Sequence, residues 1–402
     1  MRWAAFALTG TRQPPDTRLR RTAGRWIVWT IAALIVVVAA AAAGIGWHYA
    51  GEIEREAFAV SHAEPTRNLV VAGVDDGTVT LRTTEASDMD FGAWRMPGLW
   101  RLDWDGGSGR VGEIRDLRDD EVVRAFTAVD GAPQPGTAAE LRGTVYGGDP
   151  MTALGIPFED VVFAGELGPL AAWRVPGTAD TWAILVHGKG QARDEMLRYL
   201  PALDAAGMPA LVISYRNDDG VFASGSGRYD YGASEWRDLE AAVRYALDEG
   251  AARVVLFGES MGGAIVMSFL YRSELAGSVA AIVLDAPMLR FADTVDFGAE
   301  RRGLPALLTW IGKTAAALRY GFSWADVDYL PNAAALDVPI LIFHGDADRL
   351  VHIRTSEALA AARPDLVTLV TIPGGPHAHA WNMEPEIFEA TLGDFLGAKL
   401  AE

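Results

Sequence analysis

A serine inside a glycine-flanked turn is the first residue of this 402-residue chain whose position suggests chemistry. Ser260 is the centre of the pentapeptide GESMG at 258–262, directly after the apolar run 252–257 and before a helical pattern. Small residues on both sides allow a sharp strand-to-helix turn that leaves the serine hydroxyl exposed. A serine hydroxyl becomes a good nucleophile only when a base within hydrogen-bond reach takes its proton. The sequence therefore predicts a nucleophile at Ser260 and requires a base and an acid elsewhere.

Candidates for that acid and base follow two later strands. The apolar run 339–343 leads into HGDAD, which contains Asp346 and Asp348, and a later β-branched run leads into a loop with His377 and His379. Histidine suits the role of base because its pKa near neutrality lets it both accept and return a proton. An aspartate on its other ring nitrogen holds the tautomer and stabilises the imidazolium. The order serine, aspartate, histidine along the chain is that of α/β-hydrolases and differs from the chymotrypsin and subtilisin orders.

A glycine turn upstream supplies a candidate oxyanion hole. The apolar run 182–186 leads into the residues HGKG at 187–190. A flexible turn at a strand end can aim a backbone N–H at an oxyanion, and the residue after the nucleophile supplies a second N–H. We therefore predict that the main-chain N–H groups of Lys189 and Met261 form the oxyanion hole.

Together these motifs resemble those of an α/β-hydrolase of the serine-hydrolase type. The chain is similar to membrane-anchored bacterial members related to the prolyl-oligopeptidase and monoglyceride-lipase branches, over about residues 158–402. The resemblance implies Ser260 as nucleophile and the second aspartate of the HGDAD turn, Asp348, as acid. It implies His377, four residues before a Trp-Asn pair, as base, with His379 as the alternative.

Other interpretations of the same residues stay open. Ser260 would be a helix N-cap if the domain were a non-catalytic one of Rossmann type, and Asp346 or Asp285 would be the acid in other arrangements of the strand ends. His377 and His379 form an H-x-H pair of the kind that binds metals, but no third ligand cluster accompanies them. We therefore expect neither a metal nor a cofactor.

The N-terminal region contains a candidate membrane anchor. Residues 26–47 carry no charge and, at about 1.5 Å per residue, would span roughly 33 Å as a helix. Arginines precede this run and glutamates follow it, so the positive-inside rule predicts a cytoplasmic tail at 1–25 and a signal anchor at 26–48. The protein would then be a single-pass membrane protein with its catalytic domain outside the cytoplasm. The alternative is a cleaved signal peptide, because the alanines at 39–43 are small residues of the kind a peptidase needs.

Three regions follow the anchor. Residues 49–65 are short and polar and predict a stalk, whereas 66–157 alternate apolar and polar residues between turns and predict a small β-rich domain. From 158 to 402, apolar strands alternate with amphipathic helices, which predicts an α/β fold with a mostly parallel sheet covered on both faces. An interruption at 287–338 predicts a helical cap over the active site.

Aromatic residues and two helix candidates refine these regions. Within the β-rich domain we interpret a cluster of aromatic residues as core and not as a ligand platform; its members are Phe91, Trp94, Trp100 and Trp104. Within the cap, 304–310 and 314–320 are predicted as two amphipathic helices.

Composition restricts the function classes. The net charge of −18 argues against nucleic acid as a partner, and the absence of cysteine excludes disulfides and a cysteine nucleophile. The leading prediction is a serine hydrolase that cleaves a small-molecule or lipid-like carboxylic ester through an acyl-enzyme. The alternatives are a peptidase or acyltransferase of the same fold, or a non-enzymatic envelope binding protein.

Overall fold

The computed structural model describes most of the chain in three stretches. These are residues 17–60, 66–84 and 93–400, with no side chains described at 17–25, 27, 93, 399 and 400. Three predicted features lie outside the described residues, in full or in part: the tail at 1–16, the end of the stalk at 61–65, and Phe91.

The N-terminal apolar run forms a long helix, α1 (Thr17–Ile53), which continues into a π-helical turn at Glu54–Phe58. Within the described part of the chain, this is the one helix long and apolar enough to cross a membrane. Its apolar side chains are largely exposed, as at Ile35 and Val37, so protein contacts do not account for its hydrophobicity. The predicted apolar helix is therefore present, and the side chains described in its first half are not buried by other parts of the protein.

Residues 49–60 pack against the region from 158 to 402, although the sequence predicted a separate polar stalk at 49–65. Phe58 is buried, and its backbone oxygen accepts a hydrogen bond from the N–H of Tyr229. Its ring lies 4.8 Å from that of Phe322 and 5.7 Å from that of Phe291. The stalk prediction was wrong for these residues because one buried aromatic side chain outweighs a locally polar composition.

A six-stranded closed barrel follows, in the spatial order β1-β2-β5-β4-β3-β6. Its strands are β1 (Leu69–Asp75), β2 (Thr78–Thr83), β3 (Trp100–Trp104), β4 (Gly107–Leu117), β5 (Glu121–Asp130) and β6 (Ala138–Arg142). All neighbours are antiparallel, and alternating apolar residues fill the interior. Trp94, Trp100 and Trp104 are buried there, which confirms that they form a core.

A short helix, α2 (Pro150–Leu154), leads from the barrel into an eight-stranded sheet of order β14-β13-β12-β11-β9-β10-β8-β7. The strands are β7 (Glu159–Ala164), β8 (Pro169–Val175), β9 (Thr181–Val186), β10 (Ala210–Ile213), β11 (Arg253–Glu259), β12 (Val279–Asp285), β13 (Ile340–Gly345) and β14 (Val367–Ile372). Strands β9 to β14 run parallel, and β7–β8 form an antiparallel hairpin at one edge of the sheet.

Helices cover both faces of this sheet. They are α3 (Leu200–Ala205), α4 (Trp236–Asp248), α5 (Met261–Arg272), α6 (Phe291–Arg301), α7 (Ala306–Tyr320), α8 (Arg354–Ala362), α9 (Ala380–Met383) and α10 (Pro385–Leu400). One apolar core contains residues of α4, α5 and α8, and the other contains residues of α3 and α10. Because the strands β9 to β13 are buried on both faces, they are continuous apolar runs in the sequence.

The cap consists of α6 and α7. The sequence predicted two helices at 304–310 and 314–320, but the structure has one continuous helix, α7. Gly312 in its middle lies against α1, where an added Cβ would be 2.8 Å from the Cβ of Tyr49. Gly312, which lies between the two predicted helices, is therefore a point of close contact between α7 and α1.

Candidate active site

The candidate nucleophile occupies a strained turn between β11 and α5. Ser260 has a φ of 50°, in the left-handed region that few residues other than glycine adopt. Gly258 and Gly262 make this turn possible: an added Cβ at Gly258 would lie 2.8 Å from the backbone of Gly262, and one at Gly262 would collide with the oxygen of Val186. Both positions thus require glycine because the backbone of another segment lies too close for a side chain. The strained turn leaves the serine at the end of the strand.

Ser260, His377 and Asp348 are brought together in the order that acyl transfer requires. His377 Nε2 lies 2.8 Å from Ser260 Oγ, and His377 Nδ1 lies 2.7 Å from Asp348 Oδ2. The three residues are 8%, 9% and 6% exposed, so little water reaches these hydrogen bonds. They follow β11, β14 and β13, at the carboxyl edge of the sheet where α/β folds place their sites.

The candidate acid is held ionised by its neighbours. Burial raises the pKa of Asp348, but the charge and hydrogen bonds of His377 and His344 lower it by more, so it ends well below its usual range. Asp348 Oδ1 also accepts hydrogen bonds from the N–H groups of Leu350 and Val351, at 2.8 and 2.9 Å. An ionised carboxylate fixed in this way can orient the imidazole and stabilise its positive charge.

His379, the alternative base, is placed elsewhere. Its ring lies 5.0 Å from that of Trp100 in the barrel, and an added Cβ at Gly143 would collide with it. Burial lowers the pKa of His379 to about 4, so it is neutral at physiological pH. The structure therefore places His377, and not His379, beside Ser260.

Asp346 and Asp285, the alternative acids, also lie apart from the imidazole hydrogen bond. Asp346 is exposed, and its Oδ1 accepts the N–H of Gly374 at 2.7 Å, as a turn residue does. Asp285 is fully buried at the end of β12, and neither of its carboxylate oxygens accepts a hydrogen bond from any described residue. Burial raises the pKa of Asp285 to about 6.

The predicted oxyanion-hole residues flank the nucleophile. Met261 is the first residue of α5, and Gly188, next to Lys189, approaches so closely that an added Cβ would be 3.3 Å from that of Ser260. A helix N-terminus also carries a positive partial charge, which favours a developing oxyanion. The loop 187–190 and the start of α5 thus both lie next to Ser260.

Tyr215 and Asp218, which follow β10, support this loop. Tyr215 Oη lies 3.1 Å from the backbone oxygens of both His187 and Gly188, so its single O–H is shared between these two acceptors. Asp218 Oδ2 lies 2.9 Å from His187 Nε2. Burial lowers the pKa of His187, but the charge and hydrogen bond of Asp218 raise it by more. The signal in the sequence was the position of these residues at a strand end, on the edge where the site lies.

Replacement of Tyr215 by phenylalanine should lower kcat about tenfold and leave KM within about twofold. Without the hydroxyl that bonds the His187 and Gly188 oxygens, the 187–190 loop is held less firmly near the oxyanion, which affects the transition state more than substrate binding. Steady-state kinetics on a p-nitrophenyl ester measure the split. Tyr271→Phe is the matched control, because its hydroxyl bonds Tyr329 O, away from the loop. Equal losses in both variants would contradict the positioning role.

The side chain of Lys189 contacts the segment that follows the N-terminal apolar helix α1. Its Nζ donates to the backbone oxygen of Glu56 at 2.6 Å and lies 5.8 Å from the ring centre of Tyr229. Burial lowers the pKa of Lys189 to about 8. The oxyanion loop is therefore in direct contact with the segment after α1.

A buried polar network connects the site to the barrel. Arg198 pairs with Glu259, the neighbour of the candidate nucleophile, and donates to Asn382 Oδ1 at 3.1 Å. Asn382 Nδ2 donates to the backbone oxygens of Leu99 and Gly143, at 2.9 and 2.8 Å. The barrel is thus hydrogen-bonded to the segment that follows His377.

Two families match parts of the chain. Residues 181–323 match the family described as "Serine aminopeptidase, S33", and residues 70–142 match a "Domain of unknown function (DUF8805)". The second match coincides with the barrel, and the first covers the sheet from β9 to the cap.

Curated relatives share the hydrolase region at low identity. The uncharacterized protein YfhR of Escherichia coli K12 is 26% identical over 266 residues, which are 63% of this chain and 83% of that protein. The "Alpha/beta hydrolase domain-containing protein WAV2" of Arabidopsis thaliana is 28% identical over 186 residues, 41% of this chain and 57% of that protein.

Among solved structures, the esterase Pf2001 of Pyrococcus furiosus superposes with a TM-score of 0.52 at 22% identity. The superposition covers 63% of this chain and 94% of the esterase. This likeness shows the fold. The predicted α/β-hydrolase fold, with an N-terminal apolar helix and a small β domain before it, is confirmed.

Proposed function

We propose that this α/β-hydrolase is a serine hydrolase that cleaves carboxylic esters through an acyl-enzyme on Ser260. The observation that carries the proposal is the continuous, buried hydrogen-bond chain from Ser260 Oγ through His377 to Asp348, at 2.8 and 2.7 Å. The match to a serine aminopeptidase family and the fold shared with an esterase support a hydrolase.

Each residue has a defined step in this mechanism. Ser260 Oγ attacks the substrate carbonyl carbon while His377 Nε2 takes the hydroxyl proton, and Asp348 stabilises the resulting imidazolium. The tetrahedral oxyanion accepts hydrogen bonds from the N–H groups of Lys189 and Met261, each worth about 3–4 kcal/mol of barrier. His377 then protonates the leaving alkoxide oxygen, which leaves an ester on Ser260. A water molecule, deprotonated by His377, releases the acid and restores the enzyme.

A peptidase is the second candidate, because the matched family is described as serine aminopeptidase. Esters remain the preferred substrates because an alkoxide leaves more easily than an amine. A panel of p-nitrophenyl esters and aminoacyl p-nitroanilides decides between the two, since turnover of esters alone removes the peptidase. Transfer of the acyl group to an acceptor other than water would use the same steps and would appear as a second product.

We further propose that α1 anchors the protein in a cell membrane, with residues 1–25 in the cytoplasm and the catalytic domain outside. The exposed apolar surface of α1 and the arginines before it support this orientation. The proposal includes no cofactor and no nucleic acid partner.

Labelling of the full-length protein in detergent with a fluorophosphonate tests the activated serine. We expect wild-type protein to be labelled and Ser260→Ala not to be, because only a deprotonatable hydroxyl at this position attacks the phosphorus atom. Ser268→Ala, which changes a buried serine in α5, the helix after Ser260, is the control and should keep its label. A folded wild-type protein that takes no label would sink the hydrolase proposal and favour the non-enzymatic binding protein.

A further inference from the structure

The cap helix α7 has an exposed apolar stripe. Leu307, Trp310 and Leu318 are 65%, 61% and 83% exposed, and their spacing places them on one side of the helix. Although the whole chain has a net charge of −18, α7 contains no aspartate or glutamate. Three large apolar side chains on one solvent-facing stripe indicate a surface that meets an apolar partner.

Contacts between α7 and α1 show what lies next to this stripe. An added Cβ at Gly46 would lie 3.0 Å from Ala315, while the Arg319 guanidinium lies 3.9 Å from the ring centre of Trp47. Tyr49, further along α1, meets Gly312 instead. Successive contact residues of α1 do not pair with successive residues of α7, as they would if the two helices were parallel or antiparallel. Helix α7 therefore runs across α1. It crosses at residues 46–53, where the uncharged run 26–47 ends.

The stripe lies on the side of α7 that faces away from the hydrolase domain. The buried residues of α7 are Thr309, Gly312 and Ala316, of which Gly312 lies against Tyr49 of α1. Lys313, on the same side of the helix, binds Asp296 of α6 at 2.6 Å. The contacts with α1 lie beside this buried side, at positions 311, 315 and 319, and the stripe lies opposite it. Because α7 crosses α1 and the hydrolase domain lies on one side, the stripe faces back along α1 toward its apolar part.

The crossing is held by the docked segment after α1. Glu54 Oε1 accepts from Arg228 at 2.6 Å, and Tyr231 Oη donates to the oxygen of Ala57 at 2.7 Å. With Phe58 buried, these contacts fix the end of α1 to the hydrolase domain and do not leave it as a flexible tether. These contacts therefore fix the position along α1 at which α7 crosses it.

We propose that α7 is a second membrane-contacting element, which lies in the bilayer interface with Leu307, Trp310 and Leu318 among the lipids. The proposal rests on the proposed membrane anchor, because α7 crosses α1 where its apolar run ends. Aromatic and aliphatic side chains on a helix in the interface plane bind through buried apolar area. The cap, and the Lys189 loop that contacts Glu56, would then be held at the lipid surface.

Single-cysteine labelling tests this surface directly, because the natural chain has no cysteine. The full-length variants Leu318→Cys and Leu307→Cys are labelled with a nitrobenzoxadiazole fluorophore and reconstituted into phosphatidylcholine vesicles. Val37→Cys on α1 is the positive control, and Ile387→Cys on α10 is the negative control. Ile387 is 51% exposed and lies on the helix that covers the other face of the sheet from Phe58.

We expect phosphatidylcholine with a nitroxide near the head group to quench positions 318 and 307 at least threefold more than position 387. A nitroxide deep in the acyl chains should quench position 37. Quenching at 318 and 307 no stronger than at 387, with position 37 quenched, would overturn the interfacial helix and leave the anchor intact. No quenching at position 37 would overturn both. Fluorophosphonate labelling of the same samples reports the state of Ser260 separately.

Discussion

Replacement of His377 by alanine should abolish ester turnover, with a fall in kcat of about a million-fold. His377 is the group whose Nε2 lies 2.8 Å from the hydroxyl of Ser260, and loss of a triad base in serine hydrolases has an effect of this size. Circular dichroism shows whether the variant is folded, and p-nitrophenyl ester kinetics with active-site titration measure the loss.

The matched control is His379→Gln, two residues away in the same loop. His379 packs against Trp100 of the barrel, so this variant should keep kcat within about tenfold of wild type. Its melting temperature should fall, because a buried ring is replaced by a smaller side chain. If the glutamine variant lost as much activity as His377→Ala, the assignment of the base to His377 would be wrong.

Replacement of Asp348 by asparagine should lower kcat by roughly 10⁴-fold while the protein stays folded. The amide can donate to the imidazole Nδ1, which favours the tautomer that cannot accept the serine proton, and it removes the charge that stabilises the imidazolium. Ester kinetics on the purified full-length variant measure the fall, and KM should change little because Asp348 contacts His377 and not substrate.

Asp285→Asn provides the comparison for this variant. Both aspartates are buried at the ends of neighbouring strands, but Asp285 has no hydrogen bond to its carboxylate from the described residues. Because Asp285 makes no hydrogen bond to the imidazole of His377, an amide of the same shape should change kcat by less than about tenfold. A larger loss in Asp285→Asn than in Asp348→Asn would move the acid to β12.

The barrel is more than an appended domain, because it contacts the segment that follows His377. Leu99 and Gly143 accept hydrogen bonds from Asn382, and Trp100 packs against His379. A domain in these contacts restrains the loop on which the candidate base depends. The matched family of unknown function over residues 70–142 therefore covers a unit joined structurally to the site.

The sequence by itself determined the features that depend on local patterns. The alternation of apolar strands with amphipathic helices predicted the parallel sheet, and the glycines around Ser260 predicted the strained turn. The uncharged run at 26–47 predicted α1. In each case the pattern lies within a short segment of sequence. The residues that determine burial or backbone geometry are therefore close in sequence to the residue that is affected.

Only the tertiary structure decided the features that depend on residues far apart in the chain. The sequence offered two histidines, and the fold placed His377 at Ser260 and His379 against Trp100. The segment predicted as a stalk packs against the domain through Phe58. The two helices predicted in the cap are one continuous helix, α7. These outcomes depend on packing between segments that are tens to hundreds of residues apart in the chain. The local periodicity of apolar residues contains no information about such contacts.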